Sequence, residues 1–423
     1  MKNENQIKNV KRNMLLLFAG RFISDFGTAL FKFSLSLYVL DVTGSSTLYS
    51  LMITLTILPG IIISIFAGTL IDKYDKKKII GFADLFSAVS AGILLIMIEE
   101  ISDSLLLFGI GVVLVSFIQT FLNLGINSGV GNMVPEEMIS KVNSYFQAMG
   151  AILTILGPII GAVCYGTFGI KIVLLIDCIS YLFGAAATLF MEFMKNKKGE
   201  DAEFGFKDSV KYIFTYVKKY ETVKLLMIML FALTFVYYPM TNVTLQNIMR
   251  LRVESSENQL SYTMAALGVG VILGALFTSL HKMEKELLQI PQKLFCLAGI
   301  MLMWCLPVFL YKNMEKSSSR NLLITVIFCI ILVIMGFYYT RIVIPSYSYM
   351  QMYVDENVRG RVFGLATSAL NIAAPAGLVI YGILLDQKIE LAVIVMSVMI
   401  LSLLGIKILS GIKSVNTIHE EKR

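Results

Sequence analysis

The sequence predicts an all-α membrane protein: twelve transmembrane helices in two pseudo-symmetric six-helix bundles. Three observations carry that prediction. The chain is 57% hydrophobic and only 15% charged, with a mean hydropathy of +0.76. Apolar runs of ~20 residues, the length that crosses ~30 Å of hydrocarbon as a helix, follow one another almost without pause. Backbone amides in lipid must pair within their own segment, so each run reads as a helix. The ten-residue alternation of a membrane barrel is absent.

The spans fall at about 14–40, 47–71, 79–98, 104–127, 143–167, 170–194, 223–249, 260–280, 291–311, 321–349, 361–386 and 389–411. The first is too long and too charged for a cleavable signal peptide, and no small-residue cleavage site follows it. Residues 195–222 form the longest charged stretch and divide the chain into a bundle over 1–194 and a bundle over 223–423. Within that linker Phe206, Val210, Ile213, Phe214 and Val217 recur at helical spacing among lysines, the pattern of an amphipathic helix on a membrane face.

The net charge of +7 is not a nucleic-acid footprint, because the basic residues follow topology. They concentrate in alternate loops and in both tails, which places both termini in the cytoplasm. The loop with Glu99, Glu100 and Asp103 carries no Lys or Arg and suits the outer side. Cys164, Cys178, Cys296, Cys305 and Cys329 lie within apolar spans and form no CxxC pair, so they read as small buried hydrophobes. His281 and His419 suggest no metal site, and nothing in the chain calls for a cofactor. P-loop, nucleophile-elbow and HExxH motifs are all missing, which argues against an ATP-driven pump and against an enzyme.

The basic loop between spans two and three is the most informative stretch. It reads Gly68-Thr-Leu-Ile-Asp72-Lys73-Tyr-Asp75-Lys76-Lys77-Lys78. The lysines anchor it in the cytoplasm, but Gly68 and Asp72 are unnecessary for anchoring and point to a specific ionic latch. The halves also echo each other. Gly157-Pro158-x-x-Gly161 in span five has a counterpart, Ala374-Pro375-x-Gly377, in span eleven. Small residues with a proline imply close helix contact or a bend.

Span one carries Arg21, Asp25 and Lys32, which a helix sets within ~40° of one another. An ionisable residue inside a bilayer costs at least ~2.5 kcal/mol, so three on one stripe must face water or each other. Arg21 and Asp25, four residues apart, are placed to pair. Asp25 is then a proton or cation site, or else one half of a static pair, and Lys32 asks for an aqueous cavity or an anion. In span four Ser116, Gln119, Asn123 and Asn127 fall on one face, either lining a cavity or packing against a neighbouring helix. Span seven offers Tyr237, Tyr238, Thr241, Asn242, Thr244 and Gln246, and span ten Tyr338, Tyr339, Thr340 and Arg341. Tyrosines suit amphiphilic ligands, and Arg341 could meet a carboxylate or snorkel to the inner surface. Asp84 and Asp177 lie about two turns or less inside spans three and six. With Asp25 they are the embedded acids from which a proton carrier would be drawn.

The Gly68-x3-Asp72-Lys73-x-Asp75-Lys76-Lys77 loop resembles the signature of the major facilitator superfamily. Asp75, where many members carry glycine, resembles the branch of macrolide-efflux proteins and the enterobactin exporter. Thr43-Gly44-Ser45, Asp84, Asp177 and Arg359-Gly360-Arg361-Val362 agree with that branch. The resemblance implies the major facilitator fold and secondary transport by alternating access. It implies proton-coupled efflux of amphiphilic small molecules such as drugs, macrolides or siderophore-like compounds; a monomer is expected, and the many Ile, Lys and Asn residues suggest a bacterial cell membrane. It places Lys32, Gln119, Asn123, Asn127, Tyr238, Asn242, Tyr338 and Arg341 around the substrate path. It puts helices three and six at the periphery of that path, where Asp84 and Asp177 read as capping or inter-helix hydrogen-bonding groups; the embedded charges themselves name Asp25, Arg21, Asp84 and Asp177 as the candidates for proton or ion coupling. It makes Gly68, Asp72, Lys73, Lys76, Lys77, Arg359 and Arg361 a cytoplasmic latch, and it ties Gly157, Pro158 and Gly161 to exporters. Span four departs from many proton-coupled exporters, which carry an arginine there. That residue's part is missing here or supplied elsewhere. An uptake or lipid-translocating carrier, or a sensor or scaffold on the same fold, are the alternative readings.

Overall fold

The protein is described from a computed structural model, which places the backbone of residues 2–73, 75–98, 105–133, 136–192, 221–281, 283–353 and 356–412. Side chains of 2–11, 63–73, 351–353, 356–370, 411–412 and scattered positions of 105–155 and 283–284 are outside the description. All described regular structure is helical. Its elements are α1 (Lys2–Thr43), α2 (Ser46–Lys73), α3 (Lys76–Met97), α4 (Leu105–Met133), α5 (Glu136–Phe190), α6 (Glu221–Pro239), α7 (Glu257–Ser279) and α8 (Met283–Leu288). They continue with α9 (Ile290–Leu302), α10 (Cys305–Asn313), α11 (Ser318–Tyr353), α12 (Glu356–Asp386) and α13 (Glu390–Ile412).

The twelve sequence spans map onto these with three local differences. Spans five and six run as one long helix, α5, whose helical dihedrals break at Gly169 (φ 75°, ψ 174°). A glycine is needed there because that φ is strained for any L side chain. Span seven begins as α6 but winds on as π-helix over Met240–Thr244 and Asn247–Arg252. Span nine is split into α9 and α10 around Met303 and Trp304. Among the described residues, nine helical stretches are long and apolar enough to cross a membrane, and Ser46–Ile62 and Asn371–Asp386 are shorter apolar helices. The charged linker predicted over 195–222 lies almost wholly outside the described residues.

The chain forms two compact units. The first comprises Met1–Gly44 and Leu51–Glu200; the second comprises Ser45–Ser50 and Asp201–Arg423. In the first, α1 packs chiefly along α5, and α3 packs on α4 and α5. Small residues allow that approach: a Cβ on Gly157 would sit 2.8 Å from the Cβ of Ala29, and one on Gly161 would sit 3.3 Å from the Leu30 carbonyl oxygen. So the glycines flanking Pro158 serve close packing on α1, while the break in helical dihedrals falls further along, at Gly169. In the second unit α7 packs along α11, α9 along α13, and α6 along α12.

The lipid-facing surface is apolar and the interior holds the polar groups. On α3, Phe82, Phe86, Val89, Ile93 and Ile96 are exposed, whereas Asp84 and Ser87 are buried with Ile80, Ala83, Ala88 and Ala91. The cysteines are free, but Cys296 is exposed and the other four are half-buried. The expectation that they are core hydrophobes therefore needs correction: they stand on faces that lipid, itself apolar, can cover.

Candidate functional site

The first unit carries an ionisable cluster on the inner face of α1. Arg21 Nε lies 2.5 Å from Asp25 Oδ2, as the i,i+4 spacing requires, with the side chains 14% and 25% exposed. The Arg21 guanidinium also donates to the Asn123 side chain of α4. That contact brings a cation from α1 to α4, the helix that carries no charge of its own over 104–127. One turn along α1, Ser24 Oγ donates to Asp84 Oδ1 of α3 at 3.4 Å. Asp84 sits where α5 presents Gly184, whose absent side chain leaves room for the carboxylate. A small pocket lined by Arg21, Ser24, Asp84, Gly184 and Thr188 has room for about one water.

Farther along α1 the polar groups link to α5. Thr28 Oγ1 and Tyr181 Oη share a hydrogen bond of 2.7 Å, and the Gln119 amide donates to the same Tyr181 oxygen. Asp177 is fully buried, and neither carboxylate oxygen has a hydrogen-bond partner among the described residues. Gly27 opens the space in front of it. Lys32 is half-buried and its ammonium makes no hydrogen bond among the described residues. Asn127 belongs to α4, but its side chain is outside the description.

The second unit arranges its polar residues differently. Asn242 turns back on its own helix, donating to the Tyr238 carbonyl oxygen at 2.9 Å and to Thr241 Oγ1 at 3.2 Å. Tyr237 stacks on Tyr339 with ring centroids 3.7 Å apart. Tyr338 stands edge-on to Phe337. Arg341 is held by Glu286, through Nε at 3.1 Å and Nη2 at 2.8 Å. Its guanidinium also lies over the Phe277 ring at 4.3 Å. Lys293 completes the cluster at 2.6 Å from the same carboxylate. Burial pushes the Glu286 carboxyl up, but the hydrogen bonds and charges of Arg341 and Lys293 outweigh it and hold the group below its ordinary value. At the other end of the unit, Glu390 pairs with Arg252 at 2.8 Å and with Lys312 at 3.4 Å.

Of the expected latch, the side chains of Gly68, Asp72, Lys73, Arg359 and Arg361 lie outside the described residues. Lys76 is half-buried. Lys77 donates to the carbonyls of Leu189 (2.9 Å) and Met191 (2.8 Å), where a cation satisfies the end of α5. Asp75 caps α3 through the amides of Lys77 (2.9 Å) and Lys78 (3.4 Å).

Sequence reasoning missed Glu286, Lys293 and Asp386. Lys293 was the available signal, a charge inside an apolar run. Asp386 binds the first turn of α2, which belongs to the second unit. It accepts from Ser45 Oγ (2.6 Å) and from the amides of Ser46 (2.6 Å) and Thr47 (3.1 Å).

Residues 17–378 match the family model described as Major Facilitator Superfamily. The chain belongs to the Major Facilitator Superfamily. It is accordingly a multi-pass membrane transporter of small molecules and not an enzyme. Macrolide efflux protein A of Streptococcus pyogenes is 23% identical over 387 residues, covering 90% of this chain and 91% of that relative. The multidrug efflux pump Tap of Mycolicibacterium fortuitum is 25% identical over 401 residues, covering 89% and 90%. Among solved structures, a bacterial homologue of the iron transporter ferroportin in its inward-facing state aligns with a TM-score of 0.70 at 12% identity. That alignment covers 94% of this chain and 98% of the other, and it is a likeness of fold.

Proposed function

We propose that this superfamily member is a proton-coupled exporter of amphiphilic small molecules, of drug, macrolide or siderophore-like kind, working by alternating access. The observation that carries the reading is the Arg21–Asp25 pair set against Asn123 in the first unit. A carboxylate held by a guanidinium inside a bilayer is a reversible charge store. Protonating Asp25 releases Arg21, and Asn123 gives the guanidinium a neutral partner while it is released. Charge counting supports the same role. Asp25, Asp84 and Asp177 bring three negative charges to the interior, and Arg21 and Lys32 bring two positive ones. One bound proton balances the set, and an unbalanced charge in hydrocarbon is costly.

Efflux is the direction that the Gly157-Pro158-x-x-Gly161 element and the efflux proteins among the relatives support. Lys32, Gln119, Asn123, Asn127, Tyr238, Asn242 and Tyr338 are the proposed substrate contacts, and Asp72 the latch residue of the 68–78 loop. The lysine distribution supports both termini inside, and the bacterial relatives support a bacterial cell membrane. We take the monomer as the working unit, with no nucleic-acid partner. The test is reconstitution in proteoliposomes with an imposed pH gradient and a panel of amphiphiles. Gradient-driven export is expected for the wild type and is lost in Asp25→Asn, with substrate binding retained. Proton-dependent flux that persists in Asp25→Asn rejects the coupling role. Gradient-driven accumulation in the opposite sense rejects efflux in favour of uptake.

A further inference from the structure

The seventh span departs from α geometry in a buried stretch that carries both core and polar side chains. Two π-helical segments, Met240–Thr244 and Asn247–Arg252, follow one another with only Leu245 and Gln246 between them. π turns are rare, have poorer geometry than α turns, and concentrate at functional sites. The same stretch gathers buried polar atoms without partners among the described residues. They are Thr244 Oγ1, both ends of the Gln246 carboxamide, and Asn247 Oδ1. Gln246 and Thr244 are 0% exposed and Asn247 is 1% exposed. A buried polar group normally finds a hydrogen bond, and each exception asks for an explanation. Gln246 is the extreme case, with two donors and an acceptor all unmet.

The surroundings define what could meet them. The charged residues of this segment are already matched: Arg250 pairs with Glu257 at 3.0 Å, and Arg252 with Glu390 at 2.8 Å. The unmet groups are all neutral amides and a hydroxyl, so they suit a partner that both donates and accepts without formal charge.

We propose that this π-helical stretch is a ligand-binding element for an uncharged molecule bearing hydroxyl and carbonyl groups. The Gln246 carboxamide is its anchor, with Thr244 and Asn247 beside it. The inference rests on the exporter reading and narrows its substrate class. Without ligand, the π register keeps the carboxamide turned into the protein. Rewinding one π turn to α pitch removes one residue of register. It therefore turns the flanking helix by about 100° and brings the carboxamide to a different face. The element thus holds a destabilising, unpaired amide in the empty protein and satisfies it on binding, a trade of stability for function.

The test uses the full-length protein in detergent and in proteoliposomes, with Gln246→Leu and the volume-matched Gln246→Met. The probe is erythronolide B, an uncharged polyhydroxyl macrolactone. Ethidium, a cation with neither hydroxyl nor carbonyl groups, is the control. In both variants the melting temperature without ligand is expected to hold or rise, because an unsatisfied amide has gone. Erythronolide B affinity, read from ligand-induced thermal shifts, is expected to fall at least tenfold, while the shift produced by ethidium is the same in the variants as in the wild type. A lower melting temperature in both variants overturns the proposal, since the amide is then satisfied inside the protein. Unchanged erythronolide B affinity in the variants overturns it too, as does a wild type that does not bind the probe. Wild-type binding of the probe without any pH-driven flux instead rejects the exporter reading and leaves the binding element standing.

Discussion

Replacing Glu286 by glutamine removes one negative charge from a site that keeps two positive ones. The Glu286 side chain is 2% exposed, Lys293 3% and Arg341 12%. The carboxylate accepts Lys293 Nζ at 2.6 Å and a two-pronged contact from Arg341 at 2.8 and 3.1 Å. A glutamine keeps one acceptor oxygen and turns an NH2 donor toward a cation that is itself a donor. Removing one partner of a buried ion pair costs about 3–5 kcal/mol, because the remaining charge is left uncompensated. Set against a typical net stability of about 5–15 kcal/mol, that is about a fifth or more. The expected outcome is a fall of many degrees in the melting temperature of the purified protein. In Glu286→Gln/Lys293→Met one stranded cation is gone, so the double variant recovers at least ~1 kcal/mol relative to Glu286→Gln, as a coupled pair must. The pH dependence has a definite sign. The Glu286 carboxyl is held below its ordinary value, so its contribution is complete above the unfolded carboxylate value. It is lost only as the pH falls through the depressed folded value. A Glu286→Gln variant less than ~1 kcal/mol weaker than wild type, or a double variant with additive effects, refutes this account of the cluster.

Three further outcomes are expected. Asp25→Asn leaves the melting temperature within ~1 kcal/mol equivalent of wild type, because Arg21 keeps Asn123 as a partner, but abolishes pH-driven flux; a loss of folding without a specific loss of flux contradicts the charge-store reading. Asp386→Asn weakens the charged cap on the first turn of α2 by ~1–2 kcal/mol and speeds amide exchange at Ser46 and Thr47, and unchanged exchange there refutes the capping role. Gly270→Ala drives a Cβ into the Val333 carbonyl where α7 meets α11 and costs ~1–3 kcal/mol, whereas Gly299→Ala, with nothing within 4 Å, stays within ~0.5 kcal/mol in the same melting assay.

The positions of the helices were legible because a bilayer imposes a length and an apolar composition that a sequence displays directly. So was the Arg21–Asp25 pair, since four residues along one helix fix a neighbour. The remainder depends on contacts between helices, which no local pattern encodes. Nothing near Asp84 announces that Ser24 will meet it, or that Gly184 will leave it space. Glu286 stands in a charged loop like many exposed acids, and nothing local shows that Lys293, at the start of an apolar run, and Arg341 will meet it. The π-helical stretch was equally hidden. Pro239 sits at its entrance, but the sequence through Arg252 is compatible with an ordinary α-helix. Just before that stretch, α12 comes close enough that a Cβ on Gly377 would meet the Phe235 carbonyl and the Pro239 ring, a contact between helices that no local pattern shows.

The two units handle charge in opposite ways, and that contrast favours one division of labour over another. In the second unit the buried acids are saturated: Glu286 has two cations, and Glu390 has Arg252 and Lys312. Protonating either leaves two cations facing each other, whereas protonating Asp25 releases a single cation that Asn123 also holds, so the second-unit acids suit a proton cycle less. In the first unit the balance runs the other way. Among the described residues Asp177 has no hydrogen-bond donor, Asp84 has one long contact from Ser24, and of the three acids only Asp25 holds a direct cation. Acids in that condition gain from a proton and lose little structure on accepting it. The second unit's unspent capacity is neutral instead, in the Gln246 carboxamide and its neighbours. We therefore place proton handling on the first unit and recognition of the uncharged parts of the substrate on the second. Acid substitutions in α1, α3 and α5 should then alter coupling without changing ligand preference, and changes at Gln246 should do the reverse.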